Sequence, residues 1–388
     1  MTTSRAHLSG PTLLAGGVVL SVAVASFMRA PLLPDIGRDL RLTAADLAMI
    51  TTAFALGRLV MDLPAGRLAD RLPPGPALAG TGVGVALSAG LLAGAGVFAH
   101  ALVAVFFLGA ASALTNTTGM TVFATSAPPE RRGAAMAGFS MALMTGQTLG
   151  PALGGVIAGL ADWRVAQVVG ALIGVGVIVA CLLVPAGRAR PRTPPQPSAQ
   201  PPGLSRSQAI VLAAVPFAVF FTFSALPQTL LPVIGSSELA LSTAFIGLAL
   251  GAGGIARFAG SAVAGAVSDR VSRKAALVPS LLAMAVAVVM LAPPPTVVTW
   301  LAAIALLSLA SSGIAVAATI IADQVPADTV GRRLGTFRFT GDFGLLAGPA
   351  VTGLLYQHSG RSAAMLVTAG VLGSCALAAA VLIVEPGT

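Results

Sequence analysis

Two acidic and two basic residues stand four positions apart within apolar stretches of the sequence. Arg58 precedes Asp62 in one stretch, and Arg338 precedes Asp342 in another. A spacing of four places both members of a pair on one face of a helix, where they can bridge. A carboxyl group in apolar surroundings can also bind and release a proton as a cationic partner approaches and leaves. These four residues are therefore candidates for proton coupling or an electrostatic gate, and Asp342, the deeper acid, either titrates or is permanently paired.

Other polar and aromatic residues within apolar stretches indicate binding chemistry. The candidates are Arg29, Asn116, Gln147, Phe221, Ser224 and Gln228. Phe221, Ser224 and Gln228 share one helical face, which suits an amphipathic organic solute, although a lipid-facing aromatic stripe explains the pattern equally well. Arg29 either attracts an anionic group or extends to the membrane interface. Asn116 either hydrogen-bonds a solute or bridges to a neighbouring helix.

Enzymatic, metal and cofactor chemistry are not indicated. The 3 histidines are scattered at the ends of apolar stretches, and the 2 cysteines lie in separate stretches without metal-ligand spacing. An active site needs a convergent set of nucleophilic, acid–base or metal-binding groups. An ATP-driven pump is disfavoured because the sequence lacks a G-x-x-x-x-G-K-[ST] loop. We predict a protein that is not an enzyme and needs no cofactor or metal.

Composition points to the lipid bilayer as the surroundings of these residues. Of 388 residues, 56% are hydrophobic and 9% are charged, against about 25% charged in soluble domains. The net charge of +9 would suggest nucleic acid in a soluble chain. Here the basic residues cluster in short connectors between apolar runs, as the positive-inside rule expects. The sequence therefore predicts an integral membrane protein without a nucleic-acid partner.

The apolar runs predict twelve membrane spans, the first near 11–33 and the last near 361–384. Each is about 20 residues long, enough to cross a bilayer core of ~30 Å. If the N-terminus is cytoplasmic, most of the 22 Lys and Arg residues fall on the cytoplasmic side. We therefore expect a multi-pass protein of the cell membrane with both termini in the cytoplasm, acting as a monomer.

A segment rich in proline and arginine divides the chain. Residues 186–207 lack apolar periodicity and predict a cytoplasmic linker. The predicted domains are therefore a six-helix bundle over 1–185 and a second over 208–388.

The two halves resemble each other in sequence. A shift of 199 residues lays Arg58 over Arg257, and a shift of 198 lays Gly150-Pro151 over Gly348-Pro349. Parallel repeats of six spans are typical of alternating-access carriers, in which the substrate cavity lies between the repeats. The predicted fold is all-α, with twelve transmembrane helices in two pseudo-symmetric six-helix bundles.

Two loops carry a family resemblance. "GRLADR" (66–71) and "GAVSDR" (265–270) match the G-x-x-x-D-R signature that major facilitator superfamily transporters carry after spans two and eight. The first copy departs from the family where Pro73 and Pro74 replace its usual small and basic residues. The resemblance implies a conformational latch between the halves on the cytoplasmic side. Its residues would be Gly66, Asp70, Arg71, Gly265, Asp269 and Arg270.

The stretch "GQTLGPALGG" (146–155) resembles the fifth-span signature of the family's twelve-span drug:proton antiporters. Its fixed positions are Gly146, Gly150, Pro151, Gly154 and Gly155. Glycines at every fourth residue leave a bare helical stripe that admits close packing, and a proline within the span bends it. We expect the stripe to lie against the opposite half and roll over it; close packing alone explains the glycines but not the proline.

One departure bears on the mechanism. The arginine that the family carries in span four falls on Val105, and no charged residue occurs in that span. The proton relay associated with that arginine is therefore not available to this chain.

The resemblance implies a secondary carrier that exports small amphipathic organic molecules in exchange for protons. An importer of an organic anion attracted by Arg29 is the alternative, and a transporter-like receptor is less favoured. In the family fold, spans two and eleven lie side by side and run in opposite directions. Arg58 should therefore meet Asp342, and Asp62 should meet Arg338, at matched depths in the membrane. We expect this cluster to close the cytoplasmic side and to separate when that side opens.

Overall fold

A computed structural model of the chain describes residues 10–127, 131–183, 205–324 and 327–383, and leaves undescribed the side chains of Leu63, Asp70, Arg132 and 322–334. All regular structure in these ranges is helical. Most of the predicted linker lies outside the described residues.

The helices follow one another with short connections. They are α1 (Gly10–Met28), α2 (Leu33–Leu40), α3 (Ala44–Arg71), α4 (Pro74–Ala93), α5 (Phe98–Ser126), α6 (Arg132–Leu160), α7 (Trp163–Leu183), α8 (Arg206–Ala225), α9 (Leu231–Ser237), α10 (Thr243–Arg270), α11 (Arg273–Val289), α12 (Val297–Ala310), α13 (Ile314–Gln324) and α14 (Ala327–Leu382). Single helical turns of other types join α1 to α2, α8 to α9 and α12 to α13.

These helices form twelve membrane spans. Within the described ranges, nine segments are long and apolar enough to cross a membrane by length and composition. One of them, in α14, is two spans, because the chain turns at Gly360, where φ is +82°. Helices α6 and α11 supply the other two, which makes twelve spans in all. The all-α fold with twelve spans is as predicted.

An even number of spans places both ends of the described chain at one side of the membrane. We call this side the terminal face, and the other side the distal face. Helix α3 begins at Ala44 on the distal face and ends at Arg71 on the terminal face; α10 runs in the same direction.

Prolines interrupt the first and seventh spans near the distal face. Pro31 and Pro34 accompany the turn between α1 and α2, and Pro227 and Pro232 accompany the π-helical turn Leu226–Leu230. Proline has no amide hydrogen and cannot continue the helical ladder. Each half contains one of these breaks, and each break leaves polar residues beside the interface between the two halves.

The buried apolar residues form two clusters, one in each half of the chain. The first consists almost entirely of residues from α1–α7, and the second of residues from α8–α14. Each set of six spans therefore packs around its own core.

The glycine stripe of α6 packs against its own half, so the expectation that it lies against the opposite half is wrong. A Cβ atom at Gly146 would lie 2.6 Å from the carbonyl oxygen of Leu20 in α1, and one at Gly150 would lie 2.7 Å from that of Val24. Gly154 abuts α1 in the same way, at Met28. The stripe lets α1 and α6 approach at backbone distance, which is the ordinary use of small residues in membrane helices.

The second half repeats this packing. Gly344 and Gly348 of α14 abut the backbone of α8 at Phe217 and Phe221. The repeated glycine motif therefore has one structural use in both halves, which is to dock spans five and eleven on spans one and seven.

A neighbouring face of α6 makes the contact with the opposite half. A Cβ atom at Gly155 would lie 2.7 Å from the Cα atom of Gly247 in α10, and one at Gly159 would lie 2.8 Å from the Ala244 side chain. Thr243 Oγ1 also donates a hydrogen bond of 2.7 Å to Asp35 of α2. These contacts close the distal face.

Candidate functional site

A cavity of about 720 Å³ lies between the two halves. Its inner end is formed by Arg29 and Gln228 at the helix breaks, and it extends to Arg338 and Gly335 near the terminal end of α14. Since the distal face is closed, this conformation opens towards the terminal face.

The cavity brings together most of the predicted binding residues. Arg29, Asn116, Gln147, Ser224 and Gln228 all line it.

Phe221 is an exception, and its assignment to the cavity is wrong. Its side chain is 3% exposed, and its backbone lies beneath Gly344 and Gly348. Phe220 and Phe223 line the cavity instead. One residue along a helix rotates the side chain by about 100°, so the docking of α14 on Phe221 turns that residue away from the cavity.

Arg29 is buried at the inner end of the cavity, and no carboxylate among the described side chains pairs with it. Its guanidinium lies 4.5 Å from the ring centre of Phe54, and Nη1 donates a weak hydrogen bond of 3.4 Å to Thr51 Oγ1. Nε has no acceptor, and the residue is 2% exposed. The side chain therefore does not extend to the membrane interface, which was one of the two interpretations of its sequence.

Thr51 continues this contact across the interface. Its hydroxyl donates to the carbonyl oxygen of Gln228, at 3.4 Å, within the π-helical turn of span seven. Such turns are frequent at functional sites, because they interrupt the regular backbone hydrogen bonds.

Arg257 of α10 is a half-buried cation beside the cavity. Its Nη1 donates a 2.8 Å hydrogen bond to Gln147 Oε1 of α6, and its guanidinium lies 4.6 Å from the ring centre of Phe223. Nε has no acceptor. Arg257 lines a small adjoining cavity that shares Phe27, Gln147, Phe223 and Gln228 with the large one.

Arg58 and Asp342 form an ion pair between the two halves, at the predicted depth. Arg58 Nη2 lies 3.3 Å from Asp342 Oδ1, and Arg58 Nη1 donates to Ser112 Oγ at 3.2 Å. The two side chains are 12% and 5% exposed. The other carboxylate oxygen of Asp342 has no hydrogen-bond partner.

The second predicted pair is not formed. Asp62 lies within electrostatic range of Asp342, Arg58 and Arg338, and one of its buried oxygens has no hydrogen-bond partner among the described residues. Arg338 Nη1 instead lies 3.4 Å from the sulfur of Met120. Neither residue has an ion pair among the described side chains, within its own helix or across the interface.

The expected gate is also contradicted in this conformation. The ion pair of Arg58 with Asp342 is intact although the cavity opens towards the terminal face. Helices α3 and α14 also contact each other near the distal face, where Gly353 abuts Ala48. Opening of the terminal face therefore does not require this pair to separate.

The two signature loops lie at the terminal face, and the side chain of Asp70 lies outside the described residues. Asp269 pairs with Arg273 of the next helix at 3.2 Å and is 74% exposed. Arg71 and Arg270 are exposed, and a Cβ atom at Gly66 or at Gly265 would meet open space.

The interpretation of the sequence assigned no role to Arg257 or to the aromatic residues Phe27, Phe54 and Phe223. A signal for Arg257 was present, because it occupies the repeat position of Arg58 and lies within a span. The aromatic residues carried no comparable signal, since a phenylalanine in a membrane span usually faces lipid or the core.

Comparisons with known proteins agree with this architecture. The sequence profile of the Major Facilitator Superfamily matches residues 15–236 and 209–388. The multidrug resistance protein MdtG of Yersinia enterocolitica is 37% identical over 111 residues, which are 29% of this chain and 27% of that protein. The chain thus aligns with less than a third of that relative.

Solved transporter structures share the fold at low identity. A bacterial homologue of the human lysosomal transporter Spinster, in an inward-facing and occupied conformation, has a TM-score of 0.81 and 16% identity, covering 96% of both chains. A D-xylose-proton symporter has a TM-score of 0.78 and 14% identity, covering 97% of this chain and 98% of its own.

The profile match covers far more than half of the chain, and the twelve spans, the paired bundles and the central cavity are those of a carrier. The chain is a multi-pass membrane transporter, not an enzyme, and belongs to the Major Facilitator Superfamily.

Proposed function

We propose that this protein exports small amphipathic organic molecules across the cytoplasmic membrane in exchange for protons. The observation that carries the proposal is the cavity of about 720 Å³ between the halves, open on one side and closed on the other. Its wall is mainly aromatic and aliphatic, with a few polar groups, which suits an amphipathic solute.

The direction of transport rests on orientation and on similarity. The excess of Lys and Arg at the terminal face favours a cytoplasmic location for that face and for both termini. The cavity then opens to the cytoplasm, where an exporter loads its substrate. The similarity to a protein named for multidrug resistance supports export over import.

Proton coupling is assigned to Asp342. Its carboxylate is neutralised by Arg58 in this conformation and lies beside a second carboxyl group, that of Asp62. If rocking of the halves separates Arg58 from Asp342, the acid loses its cation in apolar surroundings and binds a proton instead. Arg58 is free to pair again when the proton leaves, so the two events alternate.

Alternating access follows from the two interfaces. Contacts of α6 with α10 hold the distal face closed and must separate to release substrate there. We propose that the loops at Asp70 and Asp269 act as a latch, which holds the terminal face closed in the other conformation.

The test is transport in everted membrane vesicles, whose interior is acidified by respiration. A library of amphipathic fluorescent compounds is screened for accumulation that collapses when a protonophore is added. We expect uphill accumulation by the wild-type protein. Asp342→Asn should abolish it while retaining exchange of labelled for unlabelled compound, since exchange needs no net proton movement.

Three results would contradict the proposal. Uphill accumulation by Asp342→Asn would remove Asp342 as the proton carrier. Accumulation that does not depend on the proton gradient would exclude proton coupling. Accumulation in right-side-out vesicles, driven by an inward proton gradient, would indicate import.

A further inference from the structure

We infer that the substrate is an amphipathic organic anion, and that its carboxylate or sulfonate group binds Arg29 at the inner end of the cavity. This inference rests on the proposed function, because it takes the central cavity as the transport path.

Arg29 is buried without a counter-charge among the described side chains. The residue is 2% exposed, and its polar contact is one long hydrogen bond from Nη1 to Thr51. A guanidinium keeps its charge under all ordinary conditions and presents five donors. Removing it from water without an anion is costly. A bound oxyanion would offset that cost.

The lining of the cavity carries more positive than negative charge. Arg29, Arg58, Arg338 and Asp342 line it. The ion pair of Arg58 with Asp342 is neutral as a unit. Arg338 lies within electrostatic range of the carboxyl group of Asp62, whereas Arg29 is the cation at the inner end. Neither forms an ion pair among the described side chains. An anion entering from the terminal face therefore passes Arg338 and ends at Arg29.

The two halves differ in how their repeat-related arginines are paired. Arg257 is the repeat equivalent of Arg58, but the residue equivalent to Asp342 at a shift of 198 is Met144. Arg257 consequently pairs with no carboxylate among the described side chains and donates to the neutral Gln147. It adds a further cation without an ion pair among these side chains in the small adjoining cavity, and Gln147 and Phe223 line both this cavity and the large one. Positive charge is thus contributed by both halves.

The surroundings of Arg29 define the rest of the substrate. The ring of Phe54 stacks on its guanidinium, and Phe27 and Phe223 lie beside the same end of the cavity, with ring centres 6.0 Å apart. Aromatic side chains pack against apolar groups, and the face of an aromatic ring attracts a neighbouring cation. The site therefore suits an aromatic or aliphatic body that carries one acidic group.

The test measures binding to the purified full-length protein in nanodiscs, without any gradient. A library of matched triplets is used, each sharing one apolar body and differing in its polar group, such as 1-naphthylacetate, 1-naphthylacetamide and 2-(1-naphthyl)ethylamine. Binding is scored by thermal stabilisation, and Kd is measured by calorimetry. We expect the stabilising compounds to be predominantly the anions.

Variants then assign the anion to Arg29. We expect Arg29→Gln to raise the Kd of the anions about 10-fold to 100-fold, the range for a charge-assisted hydrogen bond, and to leave the Kd of neutral analogues within about twofold. Arg29→Lys should restore part of the affinity. Arg206→Gln is the matched control, since it removes an exposed positive charge at the start of α8.

Several outcomes would overturn the inference. These are a library in which no anion stabilises the wild-type protein, one in which cations or neutral members bind as well as the anions, and equal anion affinity in Arg29→Gln. The vesicle assay separates these failures from those of the proposed function. Proton-driven export of cations would support the proposed function and contradict the inference that the substrate is an anion. Anion binding without proton-driven export would support the anion site and contradict the proposed function.

Discussion

The guanidinium of Arg58 in α3 lies 3.3 Å from the carboxylate of Asp342 in α14, and the two helices belong to different halves of the transporter. Both side chains are almost completely buried, yet the cavity beside them opens towards the terminal face. The ion pair therefore belongs to the open conformation. Removing one partner from a buried pair leaves an uncompensated charge that costs about 3–5 kcal/mol, and here that cost falls on the conformation in which the terminal face is open.

Reversing either charge of this pair should depopulate the open conformation. We expect Arg58→Asp or Asp342→Arg alone to shorten the distance across the terminal face, and the double reversal to restore part of it. Spin labels at Leu72→Cys and Val271→Cys, both exposed beyond the ends of α3 and α10, report this distance by double electron–electron resonance. The native cysteines are buried. Strictly additive effects would show that the pair does not set the conformation.

Closure of the distal face should depend on the absence of a side chain at Gly155. A Cβ atom there would lie 2.7 Å from the Cα atom of Gly247, so Gly155→Ala must separate α6 from α10. Overpacking costs about 1–3 kcal/mol, which shifts the population away from the conformation closed on that face. The same spin labels should report a shorter distance across the terminal face.

Gly176→Ala is the control for this substitution, because a Cβ atom at Gly176 in α7 meets open space. It should leave the distance distribution unchanged. A wild-type distribution in Gly155→Ala would mean that the two helices move apart without affecting the distal closure.

The glycine stripe of α6 should affect the stability of the fold rather than the populations of the open and closed conformations. A Cβ atom at Gly150 would lie 2.7 Å from the carbonyl oxygen of Val24 and 2.9 Å from Phe27 Cβ, within the same half. We expect Gly150→Ala to lower the thermal unfolding midpoint by about 2–8 °C. The spin-label distances should stay as in the wild type.

Gly80→Ala offers the comparison, since a Cβ atom at this position in α4 meets open space and alanine favours the helix. Its unfolding midpoint should equal or exceed that of the wild type. A conformational shift in Gly150→Ala without loss of stability would instead support the role predicted from the sequence, in which the stripe takes part in the movement of the two halves.

The proposed latch predicts that Asp269→Asn slows transport without destabilising the fold. Asp269 is 74% exposed and pairs with Arg273 at 3.2 Å; exposed pairs contribute about 0–1 kcal/mol. A large loss of flux must then arise in the other conformation. We expect the same of Asp70→Asn. Asp39→Asn, which breaks an exposed pair with Arg164, should retain flux. Wild-type flux in both latch variants would remove the latch.

The sequence by itself determined the number and type of the elements. Apolar runs of about 20 residues have one stable form in a bilayer, because every backbone polar group must be paired within its own segment. Twelve such runs, a repeat near 198 residues and the signature loops were enough to predict the fold. The depth at which Arg58 meets Asp342 also followed, since depth along a straight helix depends on residue number alone.

Tertiary structure decided which way the helix faces point. The glycine stripe of α6 meets α1 rather than the opposite half, and Phe221 lies beneath Gly348 rather than in the cavity. In a membrane, small residues, aromatic residues and alanines suit lipid, core and cavity alike, so their pattern does not fix a rotation about the helix axis. Nor could it show that Arg29 is buried without a counter-charge, since that depends on which side chains of other helices reach it.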